Sequence, residues 1–151
     1  MKIQMGDTFE IKTAQGLGYI QFAYRDKNGI EYVRVIRGLF DSRPAGLVDL
    51  VGKKEQFIVG FPLTIAANKE LVNYVARFLL PADFEMPRYM RAKHYVRGKF
   101  LGWHIVDISN WKRKLVSNLS EQEVKMSPLG VWNDTLLKER IATGWCLENW
   151  V

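Results

Sequence analysis

Alternation of apolar and polar positions dominates the first third of the chain. TFEIK (8–12) alternates Phe9 and Ile11 with polar neighbours, and AQG (14–16) supplies a turn. In LGYIQFAYR (17–25), Tyr19, Gln21, Ala23 and Arg25 fall on one side, and Ile20, Phe22 and Tyr24 on the other. A period of two, rich in β-branched and aromatic residues, predicts strands. Asn28-Gly29 is a strong hairpin-turn signal, and IEYVRVIRG (30–38) is the expected return strand. Its two faces differ, one mostly apolar and one mixed, which predicts a sheet with at least one partly wet face. DSRPAG (41–46) breaks the pattern, GLVDLVG (46–52) fits one short helical turn, and KEQFIVGFP (54–62) is a further strand stopped by Pro62. Short strands with tight turns predict a strongly bent antiparallel sheet or a small SH3-like barrel over residues 5–65.

The second half is more mixed. LTIAANKELVNYVARFLLP (63–81) carries both helical and alternating patterns, and is expected to form a short turn at 62–67 and a strand at about 71–78. PADFEMPRYMRAKHYVRGK (81–99), with two prolines and much charge, reads as a long irregular connection with room for a short strand. FLGWHIVDIS (100–109) and WKRKLVSNL (111–119) then form an additional hairpin across Ser109-Asn110. Ser120 and Glu123 have capping-box spacing for a short helix. Near the end, Ser127 suits an N-cap, Pro128 the first helical position and Gly144 the left-handed residue after a helix. Leu129, Trp132, Leu136, Leu137 and Ile141 recur at helical spacing, so a C-terminal helix is predicted over 128–143. There is no internal repeat, low-complexity tract or linker. A single α+β domain over residues 1–151 is the economical assignment.

Composition is that of an ordinary globular chain, 48% hydrophobic and 25% charged, so neither disorder nor a fibrous architecture is indicated. No stretch approaches the ~20 apolar residues needed to span a bilayer, and MKIQMGDTFEIK has no apolar run of signal-peptide length. Cys146 is the only cysteine and cannot form an internal disulfide, which fits a reducing compartment. A cytoplasmic location without membrane attachment is therefore expected.

Charge changes the picture. The chain carries a net +6, yet residues 86–114 alone hold Arg88, Arg91, Lys93, Arg97, Lys99, Lys112, Arg113 and Lys114 against a single acid, Asp107. The rest of the chain is close to neutral. Tyr89, Tyr95, Phe100, Trp103 and Trp111 interleave with these cations. Such a segment attracts an anionic partner, and cations beside stacking aromatics are also what single-stranded nucleic acid requires. The plainer alternative is a solvated hairpin, its aromatics facing the core and its Lys and Arg stems lying over the sheet.

Other chemistry is sparse. His94 and His104 lack metal-site spacing, and Cys146 has no partner thiol, so neither a metal nor another cofactor is expected. No nucleophile elbow surrounds Cys146, and GLG (16–18) and GFP (60–62) are not phosphate loops. The residues show no recognisable catalytic constellation, and no enzymatic activity is expected. Asn133 and Asp134 remain open between contacting a partner and favouring the start of a helix.

Five stretches carry a family resemblance: GDTFEI (6–11), GYIQFAY (18–24), RVIRGLFDSRP (34–44), FIVGFPL (57–63) and VWNDTLLKERIATGW (131–145). Together they resemble the immunity protein 26 family, small bacterial proteins encoded beside polymorphic toxins and in other settings. The resemblance implies a protein that neutralises a cognate toxin by direct contact, and it brings no catalytic residues. It does not extend to the basic segment. Immunity proteins against nucleases are often acidic, so a basic surface points instead to a toxin with an acidic face. On this reading Arg88, Arg91, Lys93, Arg97, Lys99, Lys112, Arg113 and Lys114 would steer and anchor the partner. The alternative is a nucleic-acid-binding module using the same segment 86–114.

Overall fold

Eight strands, three helices and two single 3-10 turns follow from these patterns in a computed structural model, which describes residues 2–151. The first sheet uses β1 (Asp7–Thr13), β2 (Gly16–Arg25), β3 (Glu31–Val35), β4 (Phe57–Gly60) and β5 (Asn73–Arg77). All neighbours are antiparallel in the order β4-β3-β2-β1-β5. The sheet is open, with β4 and β5 at its edges, so the expected barrel does not close. The Asn28-Gly29 hairpin forms as expected: Gly29 adopts φ +85, and the Asp26 carboxylate accepts from the Asn28 and Ile30 amides.

Register places Phe9, Ile20, Val35 and Phe57 in one row and Phe22, Val33 and Val59 in another, on one face of the sheet. That face is the main core. It is covered by α2 (Leu63–Asn68), through Leu63 and Ala66, and by α3 (Asp134–Ala142), through Leu137 and Ile141. The other face was expected to be partly wet. Instead α1 (Leu47–Val51) packs Leu47 and Val51 against Tyr19 and Ile36 there, so β2 is buried on both sides from Gly18 to Ala23. Two polar residues in this second layer are extensively hydrogen-bonded. Arg34, wholly buried, donates to Glu55 Oε1 at 2.8 Å, Gln21 Oε1 at 2.5 Å and the carbonyls of Val51 and Lys53. Gln21 in turn donates to the carbonyls of Gly6 and Phe78. A buried ion pair of this kind offsets its desolvation only through such additional hydrogen bonds.

The second sheet has the order β6-β7-β8, from β6 (Tyr89–Val96), β7 (Lys99–Asp107) and β8 (Arg113–Val116). The region read as an irregular connection thus contains an eight-residue strand. Its prolines lie outside it, and its alternate charges, Arg91 and Lys93, share a strand face that is covered at Arg91 and half-exposed at Lys93. Met90 of β6 packs with Tyr32 and Ile58 of the first sheet, which holds the two sheets together.

Residues 127–132 do not begin the C-terminal helix. They run extended between the two sheets. Arg91 N–H donates to Ser127 O, and Leu129 N–H to Arg91 O, at the β6 edge. Gly60 N–H donates to Gly130 O, and Trp132 N–H to Gly60 O, at the β4 edge. Ser127 Oγ accepts from the Ile58 amide at 3.0 Å rather than capping a helix. A Cβ on Gly60 would lie 2.6 Å from Gly130 O, so this seam needs glycine there. Helix α3 starts six residues later than the Ser127-Pro128 signal suggests, with Asn133 as N-cap accepting from Leu136 N–H at 2.8 Å. Its end is as expected: Thr143 is the C-cap and Gly144 follows with φ +67. The Ser120–Glu123 capping box also forms, reciprocally, ahead of a single 3-10 turn. No helix among the described residues is long and apolar enough to cross a membrane.

Candidate functional site

The second sheet gathers the basic segment on one structure, but not all of its cations reach the surface. Arg91 is the correction. Its side chain is fully buried, and its guanidinium donates to the carbonyls of Met126 (3.0 Å), Val124 (2.7 Å), Leu147 (2.8 Å) and Trp150. It also lies 4.9 Å from the Trp103 ring centroid and 4.5 Å from that of Trp150. Burial pulls it down from the ordinary arginine range to about 10, so it stays cationic at neutral pH. Its alternation on β6 places it on the face covered by residues 120–126 and the C-terminal segment. It is therefore a structural clamp and is not available to a partner.

Arg88 is exposed but committed, donating from Nε and Nη2 to Asp107 Oδ2 at 3.1 and 3.0 Å. That pairing, with the Ser109 hydroxyl and amide, holds the Asp107 carboxyl down at about 2. Lys114 sits 3.8 Å from Glu123. Lys93 is half-buried, its ammonium 5.6 Å over Trp103 and 5.8 Å over Phe100. Arg97, Lys99, Lys112 and Arg113 are exposed, and among the described residues no carboxylate lies within ion-pairing distance of them or of Lys93.

The turn between β6 and β7 concentrates this surface. Arg97 and Gly98 both take positive φ (+52 and +79) and close a two-residue loop with Val96 opposite Lys99. This is the mirror-image turn whose twist matches paired strands. Around it Tyr95, Val96, Phe100 and Leu101 all stand exposed, Tyr95 most of all at 53%. Four large apolar side chains at one tip, flanked by Arg97 and Lys99, form the kind of patch that marks a contact surface. Farther along, Tyr89, Lys112, Lys114 and Glu123 wall an open groove of about 750 Å³, with Ile105, Val116 and Met126 as its apolar lining. The sheet thus offers an apolar tip flanked by Arg97 and Lys99 and, at the other end of β7, a groove beside Lys112 and Arg113.

The interleaved aromatics divide in the same way. Trp103 is buried, whereas Tyr89, Tyr95, Phe100 and Trp111 are exposed. Tyr95 and Phe100 continue inward as a chain of ring contacts: Tyr95–Phe100 (5.7 Å), Phe100–Trp103 (5.9 Å), Trp103–Trp150 (4.8 Å), Trp150–Trp145 (5.6 Å) and Trp145–Trp132 (5.4 Å). Trp150, which no motif marks in the sequence, is the link that joins the tip to the core. Its only sequence signal was its place among five tryptophans in an aromatic-rich chain.

His94 Nδ1 and His104 Nε2 approach to 2.9 Å, the only convergence of the two imidazoles with each other, while His104 Nδ1 is buried without a partner. A metal on His104 Nε2 would force a proton onto that partnerless Nδ1, so the pair is poorly suited to ligation. No three His, Cys, Asp or Glu side chains gather as a metal site among the described residues. Asn133 is engaged as the helix cap and Asp134 lies 3.4 Å from Lys138, which gives both a local role.

These features define an α+β domain with a basic, apolar-tipped antiparallel sheet beside its main core. The chain matches no family model, no curated protein and no solved structure.

Proposed function

We propose that this chain is an immunity-type binding protein that neutralises a cognate toxin by direct contact, and that the second sheet makes the contact. The observation that carries the proposal is the β6–β7 tip, where exposed Tyr95, Val96, Phe100 and Leu101 stand beside cations with no acidic partner. Apolar anchors within a charged rim are the anatomy of a protein interface. The free cations select an acidic face and accelerate encounter with it. Val96 and Leu101, with Leu115 on β8, are aliphatic and exposed. They cannot stack on bases, which favours a protein partner over nucleic acid. The family resemblance, over roughly residues 5–65 and 119–145, supports the same reading.

The test is co-expression with toxins encoded beside this chain's gene, scored by cell survival. Wild type is expected to protect, and the pair Arg97→Glu and Lys99→Glu, or Tyr95→Ala with Phe100→Ala, to abolish protection while leaving the protein folded. Salt-sensitive binding to random oligonucleotides, lost on the same charge reversal, would replace this reading with a nucleic-acid-binding module.

A further inference from the structure

A second site lies on the first sheet, away from the basic segment. Between α3 and the β3–β4 end of the sheet is a cleft of about 350 Å³. Its walls are mostly apolar, from Val35, Ile36, Leu39, Phe57, Ile141 and Trp145. One charged side chain lines it, Arg140. Arg140 is held in place by two rings, its guanidinium carbon 5.9 Å from the Trp132 centroid and 5.5 Å from that of Trp145. Its Nε is buried and has no hydrogen-bond partner. Among the described residues the ion pair within α3 joins Lys138 to Asp134 and leaves Arg140 out. The polar neighbours in the cleft are already occupied: Gln56 Nε2 donates to Trp145 O, and Thr143 Oγ1 to Glu139 O.

Arg140 differs from the two buried arginines described above. Arg34 and Arg91 each donate four hydrogen bonds to oxygen acceptors of the chain, whereas the Arg140 guanidinium, flanked by two rings, has a buried Nε with no acceptor. A buried donor without an acceptor is unfavourable, and a guanidinium fork held rigidly is the group best matched to a carboxylate. Apolar walls around one convergent polar group are the usual make-up of a small-molecule pocket.

We propose that this cleft binds a carboxylate carried on a small apolar body, with Arg140 pairing the carboxylate and the Val35, Leu39 and Phe57 walls taking the apolar part. The chemistry is met equally by a free carboxylic acid and by the C-terminal residue of a peptide with an apolar side chain. The cleft shares no lining residue with the basic sheet, so this inference stands apart from the toxin-binding reading.

Intrinsic tryptophan fluorescence and calorimetry test it, because Trp132 and Trp145 flank the guanidinium. The probes are phenylacetate, its neutral amide phenylacetamide, sulfate, and a tetrapeptide ending in phenylalanine as free acid and as amide. Phenylacetate or the free-acid tetrapeptide is expected to bind saturably, with the corresponding amide and sulfate at least about tenfold weaker. The tighter of the two acids identifies the source of the carboxylate. Arg140→Gln is expected to lower that affinity by about tenfold or more, and Arg140→Lys to recover part of it. If Arg140→Gln does not fold, the acid-versus-amide comparison on wild type still decides. Equal binding of acid and amide, no saturable binding of either acid, or unchanged affinity in a folded Arg140→Gln protein would overturn the proposal.

Discussion

Replacing Arg91 with methionine asks whether this cation holds the fold or faces a partner. The side chain is fully buried and serves four backbone carbonyls from two separate segments, Val124 and Met126 on one side and Leu147 and Trp150 on the other. Methionine fills much of the volume but donates nothing. Each buried carbonyl left without a donor costs about 1–3 kcal/mol, which gives a gross loss of roughly 4–12 kcal/mol for four. Two terms reduce it. Burying a guanidinium with no bonded carboxylate is itself unfavourable by several kcal/mol, and methionine avoids that. Water also reaches carbonyls near the chain end once the clamp is gone. The net expectation is a loss of about 3–5 kcal/mol, or about 10–15 °C in Tm for a domain of this size. Arg91→Lys keeps the charge with three donors at most and should fall between. Guanidinium denaturation followed by far- and near-ultraviolet circular dichroism measures it, the near-ultraviolet signal reporting Trp103 and Trp150. Deleting residues 147–151 should remove much of the same energy, so the two changes combined should be markedly less than additive. A methionine variant within about 1 kcal/mol of wild type, with weakened partner binding, would return Arg91 to the surface and refute the clamp.

Other expectations are equally direct. Asn133→Ala removes the cap on α3 and should lower stability by about 1 kcal/mol, whereas Pro128→Ala should leave the length of α3 unchanged by far-ultraviolet circular dichroism. Trp132→Ala opens the contact with Phe57 and Trp145 and should cost about 3 kcal/mol in urea denaturation. Desolvation first, then His94 and Arg113, hold His104 below the usual imidazole range. The unfolded chain therefore binds more protons than the native one as pH falls, so this group's contribution is intact above about pH 6.5 and is lost progressively below it. Urea midpoints at several pH values should show that decline, and His104→Gln should flatten it. Trp111 sits at φ +61 in the β7–β8 turn, and Trp111→Gly should raise the melting temperature slightly by relieving that backbone strain.

Local signals carried most of the first sheet. Period-two alternation and Asn28-Gly29 suffice for β1–β3, because each strand pairs with its neighbour in the chain. They fail where a partner is distant. Leu129 and Trp132 have helical spacing, yet backbone pairing with Gly60 and Arg91 draws them into an extended seam, and nothing near residue 128 records those partners. Sheet closure was equally illegible, since β5 pairs with β1 rather than with β4. At the site, charge was countable but burial was not. Arg91 shares a strand face with Tyr89 and Lys93 like any strand cation, and its acceptors lie on residues 124–150, so only the tertiary structure separates the clamp from the free cations. Arg140 lies in the last turn of α3, where sequence position alone suggests only a cation complementing the helix dipole; the tryptophans flanking it and its missing acceptor appear only once α3 is docked.

The seam at residues 127–132 bears on how the chain reaches this structure. Hairpins β1–β2, β2–β3, β6–β7 and β7–β8 close short loops and can form early, whereas the seam must bring together three remote stretches and closes late. Until it docks, β4 and β6 each present an unpaired edge, and unpaired edges recruit strands from other molecules. The hazardous species during folding is thus a chain with both sheets built and the seam still loose. Once the seam is in place, its hydrogen bonds to both sheets make the loss of one edge the loss of the other, and two sheets that could have melted separately become a single cooperative unit.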